Sequence, residues 1–572
     1  MIYRPEHPNP QWEREHWRNL NGEWEFDFDF GASAVQREAF KADHLPKKII
    51  VPFCPESDLS GIGYKDFIPG VCYRKEITLS KEQLAGEVLL HFGAVDFKSY
   101  IYINGQLAKE HIGGYASLSA NIPPYVQEGV NVIFVIAEDD TKSKEQPSGK
   151  QAPKYASYGC YYTRTTGIWQ TVWLEFLPKA HLISAKYEPD ITNATLHMNG
   201  KTRGNGIVKA TALYEGNIVG TACVPTSNQS FHLSLKLDEL HLWEPGYGRL
   251  YDLTLEFEDD KVKSYFGMRN VGLEGKKFML NEKCFFQRFV LDQGFYPDGI
   301  YTAKSDEDLK RDIELSMAVG FNGARLHEKV FEKRFLYHCD KAGYPVWGEH
   351  ANWGMDYQNP IAAENFMCEW MEIVERDYNH PSIIGWCPFN ETWKYYEQKT
   401  NHRILETVYK MTKQMDSTRP CIAVSGNYHP KEMEIHDIHN YSREFEEFAD
   451  GFAHNDEGNV IDGIFRNEGD IQKYHGGPIF VSEYGGFPWI EHVEETAWGY
   501  RNMPKTKEEF YEKYEKYTSV LLDNPHIMGF CYTQLYDVEQ EQNGLFTYNR
   551  SAKFDLERIR KINQKKAAIE EV

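Results

Sequence analysis

From about residue 273 onward, short apolar runs of strand length alternate with helical stretches. The candidate strands are 285–291, 321–327, 345–349, 383–389, 420–425, 435–441, 478–482 and 527–535. Strands separated by helices pair in parallel, because a parallel connection needs a long crossover and a helix supplies it. Eight such units over about 300 residues are what an eight-fold β/α barrel requires. One helix is legible in detail. Ser305 is placed to cap it with Asp308 three residues on. Leu309, Ile313 and Met317 recur every four residues, and Gly320 can end it, so the spacing predicts a helix over 304–320.

The chain ahead of this region reads differently. Residues 1–180 show short alternating runs split by turn signals, such as the run 99–105 ending in Asn104-Gly105 and the run 130–137. A polar stretch of about 20 residues, 138–158, follows, and connections of that length in compact domains are often functional. Residues 181–272 hold further closely spaced strands and almost no helical period, as a small β-sandwich would. The expected division is therefore 1–180, 181–272 and 273–572, with two all-β units preceding the barrel. At 572 residues the chain has room for several cores.

Charge narrows the partners. A net charge of -22 argues against nucleic acid and against anionic membrane surfaces, both polyanions. The ten cysteines form no C-x-x-C pair and sit within apolar runs, which suggests reduced core thiols and a cytoplasmic location. No secretory leader and no run long enough to span a membrane is visible. Aromatic residues make up 14% of the chain, which suits stacking on sugar rings and suits β-rich packing equally.

Two of the barrel runs end in glutamate: Phe389-Asn390-Glu391 and Val481-Ser482-Glu483. A carboxyl at the end of a buried strand is poorly solvated, and two of them at one barrel mouth can face a common cleft. Glycoside hydrolysis needs such a pair, one to protonate the leaving oxygen and one to attack the sugar carbon. Taken singly, each glutamate could instead cap a helix or sit in solvent.

Several segments together resemble glycoside hydrolase family 2, which holds β-galactosidases, β-glucuronidases and β-mannosidases. They are Thr166-Gly167-Ile168-Trp169-Gln170, Phe266-Gly267-Met268-Arg269, Gly320-Phe321-Asn322-Gly323-Ala324-Arg325, and the stretch from Asn379-His380-Pro381-Ser382-Ile383 to Asn390-Glu391. The resemblance spans nearly the whole chain. It implies a multidomain fold: an all-β jelly-roll sugar-binding domain, an immunoglobulin-like β-sandwich, and a (β/α)8 TIM barrel. It implies a retaining mechanism with Glu391 as acid/base and Glu483 as nucleophile, Glu391 being raised in pKa by burial and by the charge of Glu483. It also implies that Asn390 holds the sugar 2-hydroxyl and that Tyr441 hydrogen-bonds the nucleophile. Arg325 and His327, at the end of the second strand, are expected on the pocket floor, although either could be a core group. Trp353, Trp393, Trp489 and Trp498 are stacking platforms or core residues, with Trp489 preferred as a platform. Within the long polar loop, Asp140 or Gln151 is expected to touch the sugar or its aglycone.

The choice of sugar rests on an absence. The family's β-glucuronidases carry an Asn-x-Lys pair ahead of a Gly-Ile-Phe-Thr-type segment, and here the stretch is Glu541-Gln542-Asn543-Gly544-Leu545-Phe546-Thr547. With the lysine missing and Glu539 and Glu541 nearby, a neutral sugar is expected, most simply β-galactose. β-Glucuronide, β-glucoside, β-mannoside and α-L-arabinopyranoside stay open, as do a transglycosylase and a non-catalytic carbohydrate-binding protein. No cofactor is required. A structural magnesium, calcium or sodium ion lacks support, because Tyr161-Tyr162-Thr163-Arg164 stands where some relatives carry an Asp. The expected partner is a small-molecule or oligosaccharide glycoside, and a homo-oligomer could complete the barrel rim.

Overall fold

The computed structural model describes residues 2–392, 402–426, 429–452, 474, 476–490, 497–500 and 503–571. The first domain stacks two antiparallel sheets. One joins Trp17–Asn19, Val172–Leu177, Glu87–Phe92 and Leu118–Asn121; the other has six strands, with Gly70–Leu79 and Gly129–Glu138 at its centre. Their inward residues, Trp24, Val71, Leu90, Ile101, Val135 and Leu174 among them, form one buried core. The second domain packs a three-stranded sheet (His181–Asp190, Thr195–Arg203, Ser230–Lys236) on a four-stranded one. Ser230–Lys236 alternates strictly between exposed and buried, as an outer strand with one wet face must.

Seven parallel strands make the barrel sheet. In spatial order they are Ile383–Cys387, Val346–Glu349, Gly323–Leu326, Gln287–Asp292, Ile527–Thr533, Ile479–Gly485 and His436–Asn440. Ile479–Gly485 and Ile527–Thr533 are buried at every position, so their apolar residues come consecutively rather than in alternation, with Ser482 and Glu483 as the polar break in the first. The expected strand at 420–425 is not a regular one. Cys421 and Ser425 bridge Trp386 and Asn390 on one side. On the other side, side chains take the bonds a ladder would make. The Gly426 N–H donates to an Asp437 carboxyl oxygen at 2.6 Å, and Ser425 Oγ meets His439 Nε2 at 2.8 Å. The predicted first helix forms over Asp306–Ala318, capped by Ser305 and Asp308 in a reciprocal box. Among the described residues no helix is long and apolar enough to cross a membrane.

The first domain is tied to the barrel by a buried acid. Glu369, on the helix Pro360–Asp377, accepts the backbone N–H groups of Tyr115 at 2.6 Å and Ala116 at 3.1 Å. Burial outweighs these donors and pushes its carboxyl up to about 7. A carboxyl raised on folding keeps a proton that the unfolded chain loses above about 4.5. Its contribution to stability is therefore complete below that pH and is lost as pH rises to 7, a change on the order of 3 kcal/mol. Glu369→Gln keeps the acceptor and cannot ionise. Its melting temperature should match the parent's near pH 4.5 and exceed it by several degrees at pH 8. An equal shift at both pH values would remove the linkage argument.

Candidate active site

Glu483 lies within the strand Ile479–Gly485, and Glu391 follows Ile383–Cys387, so both stand at the C-terminal mouth of the sheet. One oxygen of each carboxyl and a ring nitrogen of His439 all lie within 4.8 Å of one another. Glu483 is held at both oxygens. Oε1 accepts from Arg325 Nη1 at 3.1 Å, and Oε2 accepts from the Tyr441 hydroxyl at 2.7 Å. Tyr441 in turn contacts Thr533 Oγ1 at 2.8 Å and stacks on Tyr500 with ring centroids 4.3 Å apart. Burial and the neighbouring Glu483 raise its phenol well above the ordinary value, so it stays a donor.

Arg325 is fully buried and organises this floor. It donates to Glu349 Oε2 through Nε at 3.2 Å and Nη2 at 2.8 Å, to the Ser482 carbonyl at 3.0 Å, and to Asn390 Oδ1 at 3.2 Å. Burial works against its charge, and Glu349 with Glu483 overcomes that, so the guanidinium stays charged. His327 Nδ1 lies 3.1 Å from Glu349 Oε1. Burial first, and then the charge of Lys150, hold its pKa well below the ordinary value, leaving it neutral. Asn390 is fixed by Asn352, which accepts the Asn390 N–H at 2.6 Å and donates to its carbonyl at 2.8 Å. With Oδ1 taken by Arg325, the Asn390 amide turns Nδ2 away, a buried donor without a partner among the described residues.

His439 adds a group that the sequence did not single out. Its Nδ1 lies 2.6 Å from Glu391 Oε1 and 3.4 Å from Glu483 Oε2. Burial disfavours its charge, yet Glu483 and Glu391 together raise its pKa above the ordinary imidazole value. Two oxygens and a nitrogen form a donor set that could hold a metal ion. A cation there would occupy the oxygens that acid and nucleophile chemistry needs free, so the set fits proton sharing better.

The long loop does reach the barrel. The Ser148 and Gly149 N–H groups donate to the Trp353 carbonyl at 2.7 and 3.1 Å, and the Asp356 N–H donates to the Lys144 carbonyl at 2.9 Å. Gly149 has φ +56°, and a Cβ there would sit 2.4 Å from the Glu328 carbonyl oxygen, so the approach needs glycine. Asp140 and Gln151, the loop residues expected at the sugar, are each engaged within the first domain. Asp140 is exposed and accepts the Lys142 N–H at 3.0 Å, a short polar side chain closing its own turn. Both ends of Gln151 are used internally: Nε2 donates to Asp96 at 2.9 Å and Oε1 accepts the Thr165 N–H at 2.9 Å. Lys150, between Gly149 and Gln151, lies 3.7 Å from the centroid of Trp353, whose Nε1 donates to the Asn390 carbonyl at 3.2 Å.

Arg325, His327, Asn390, Glu391, Tyr441 and Glu483 are thus brought together as one constellation. Trp489 packs instead on Phe554, with ring centroids 5.9 Å apart, and its backbone N–H bonds the Gln542 carbonyl at 3.0 Å. Of the other tryptophans, Trp353 joins the site through Asn390, Trp498 packs edge-on to Tyr500 at 4.6 Å, and Trp393 lies outside the described residues. Glu539 is turned to the Thr163 N–H at 3.0 Å. Glu541 accepts from Tyr162 and from Asn543 Nδ2 at 3.0 Å, and burial holds it up at about 7.

Two β-sandwich domains in front of a parallel barrel, with paired carboxyls at the strand C-termini, are the architecture of a barrel enzyme with a two-carboxyl site. Three models of glycosyl hydrolases family 2 match the chain: the sugar binding domain over residues 63–174, a second domain over 181–269, and the TIM barrel domain over 271–565. The chain belongs to glycosyl hydrolases family 2. A β-galactosidase of Thermoanaerobacter pseudethanolicus is 24% identical over 495 residues, 82% of this chain and 59% of that protein. The chain therefore spans under two thirds of that relative's length. A β-glucuronidase of Streptococcus agalactiae is 24% identical over 546 residues, covering 86% of this chain and 87% of that one. A β-glucuronidase structure from an uncultured Clostridium species shares the fold at a TM-score of 0.80 with 19% identity, covering 97% and 99% of the two chains.

Proposed function

We propose that this chain is a retaining exo-β-glycosidase, with Glu483 as nucleophile and Glu391 as acid/base. The observation that carries the reading is the closeness of the two carboxyls. Oxygens within 4.8 Å suit direct attack on a sugar between them, whereas an inverting pair stands about 6.5–9.5 Å apart to admit a water. Arg325 and Tyr441 hold both Glu483 oxygens and so fix the attacking group before substrate arrives. Asn390 Nδ2 offers a donor for a ring hydroxyl, and such a bond strengthens as the sugar flattens toward the oxocarbenium ion. The division at 1–180, 181–272 and 273–572 goes with this reading, the first domain lending its loop to the barrel site. Ten free thiols favour a reducing, cytoplasmic setting.

For the sugar, a β-glucuronide is favoured over the β-galactoside that the missing Asn-x-Lys pair suggests. Its support is the β-glucuronidase of Streptococcus agalactiae, matched along most of both chains. β-Galactoside is the second reading, favoured by the β-galactosidase relative and by the buried acid Glu541, which lies within electrostatic reach of Glu483. Initial rates on nitrophenyl β-glucuronide, β-galactoside, β-glucoside, β-mannoside and α-L-arabinopyranoside test the choice. The glucuronide should give the highest kcat/KM, and its first-formed product should be the β-anomer by NMR. An α-anomer would remove the retaining mechanism, and a faster galactoside would restore the neutral reading.

A further inference from the structure

Lys150 is a charge without a counter-charge in contact. The residue is 3% exposed, yet among the described residues no carboxyl oxygen comes within 4.0 Å of its ammonium. Its Nζ rests 3.7 Å from the centre of the Trp353 ring, which offsets only part of the cost of leaving water. The backbone fixes it there. The Tyr162 N–H donates to the Lys150 carbonyl at 2.7 Å, and the Tyr162 hydroxyl bonds Glu541. Gly149 presses against the Glu328 carbonyl immediately before it. The long loop of the first domain therefore delivers one ammonium to the wall of a site built on the barrel. Burial works against its charge, and Cys160, Glu541, Glu483 and Glu328 together outweigh that and raise its pKa above the ordinary lysine value.

A buried cation held short of every described acid is set for an anion that arrives with the ligand. We propose that Lys150 is the residue that pairs with the carboxylate of a uronic acid in the glycone pocket, the role for which residues 541–547 offer no lysine. The inference rests on the glycosidase reading and on its preference for a glucuronide. A carboxylate fits a lone ammonium better than a phosphate. The phosphate of a 6-phosphosugar carries about -1.5 to -2 at pH 7, and Glu541 and Glu483, whose charges act on Lys150, would repel it more than they repel a carboxylate.

The test is a ratio. Measure kcat/KM for nitrophenyl β-glucuronide and β-galactoside in the parent, Lys150→Met and Lys150→Arg, with melting temperatures as the folding control. Lys150→Met should lower the glucuronide-to-galactoside ratio at least 100-fold, chiefly through KM, and Lys150→Arg should restore much of it. A parent active on the glucuronide whose ratio is unmoved in Lys150→Met overturns the role of Lys150 and leaves the glucuronidase reading standing. The lysine would then be a counter-charge for the site's own acids, lowering both rates alike. A parent active only on the galactoside overturns the glucuronide reading and this inference with it. Preference for a 6-phosphogalactoside, lost in Lys150→Met, would keep the cation and replace the carboxylate by phosphate. If Lys150→Met does not fold, an unchanged ratio in Lys150→Gln would equally overturn the proposal.

Discussion

Glu483→Ala should lose about 10⁴-fold or more in kcat on nitrophenyl glycosides, and sodium azide should restore part of it by a different product. Removing the side chain leaves a space bordered by the Arg325 guanidinium and the Tyr441 hydroxyl, the two donors that held its oxygens. A small anion can occupy that space and attack the anomeric carbon from the face the glutamate used. Nothing then displaces it, so the product is an α-glycosyl azide. Glu391→Ala should behave in the opposite way. With an activated leaving group the glycosyl intermediate still forms on Glu483, the water step slows, and azide entering from the Glu391 side yields a β-glycosyl azide. NMR of the two products assigns the roles independently of rate. A β-azide from Glu483→Ala would exchange them, and no rescue in either variant would leave the carboxyl pair without its assigned chemistry.

That pair was legible because a strand end is a local feature: an apolar run closing on a carboxyl can be seen in ten residues. The same signal marks Glu349, which closes Val346–Glu349 and proves to be the main partner of Arg325. The Ser305–Asp308 cap was legible for the same reason, all its parts lying within one turn. The segment 420–425 has the composition of a strand and pairs through its backbone on the Trp386–Asn390 side, but on its other side the bonds go to side chains, and composition cannot say who accepts a bond. His439 lies in a short strand of mixed polarity, one of two histidines there, and only the register of His436–Asn440 against Ile479–Gly485 puts it opposite Glu483. Lys150 is the extreme case. Its loop belongs to another domain, and a lysine in a polar stretch carries no local signal. Asp140, more obviously acidic and polar, drew the expectation instead. What the sequence hid is what depends on chain segments hundreds of residues apart meeting at one point.

Arg325 lets scaffold and chemistry be separated. Arg325→Met removes the only guanidinium described against Glu349, which is itself 2% exposed. A buried carboxylate left without its cation costs about 3–5 kcal/mol, far more than an exposed pair contributes. Thermal melting should fall by many degrees, and turnover should fall at least about 10³-fold, since Glu483 Oε1 and Asn390 Oδ1 both lose their donor. Adding Glu349→Gln then removes the stranded charge while keeping an acceptor for the Glu328 N–H, which lies 3.1 Å from Glu349 Oε1. Stability should recover by more than half, because most of the penalty was the unpaired charge rather than the lost contact. Turnover should not recover, because the glutamine does nothing to orient Glu483. A double variant that regained both would mean Arg325 acts on catalysis only by keeping the barrel folded. One that regained neither would mean the desolvated Glu349 charge is not where the cost lies. The expected split, stability restored and activity still absent, would place the arginine's catalytic contribution in its bonds to Glu483 and Asn390.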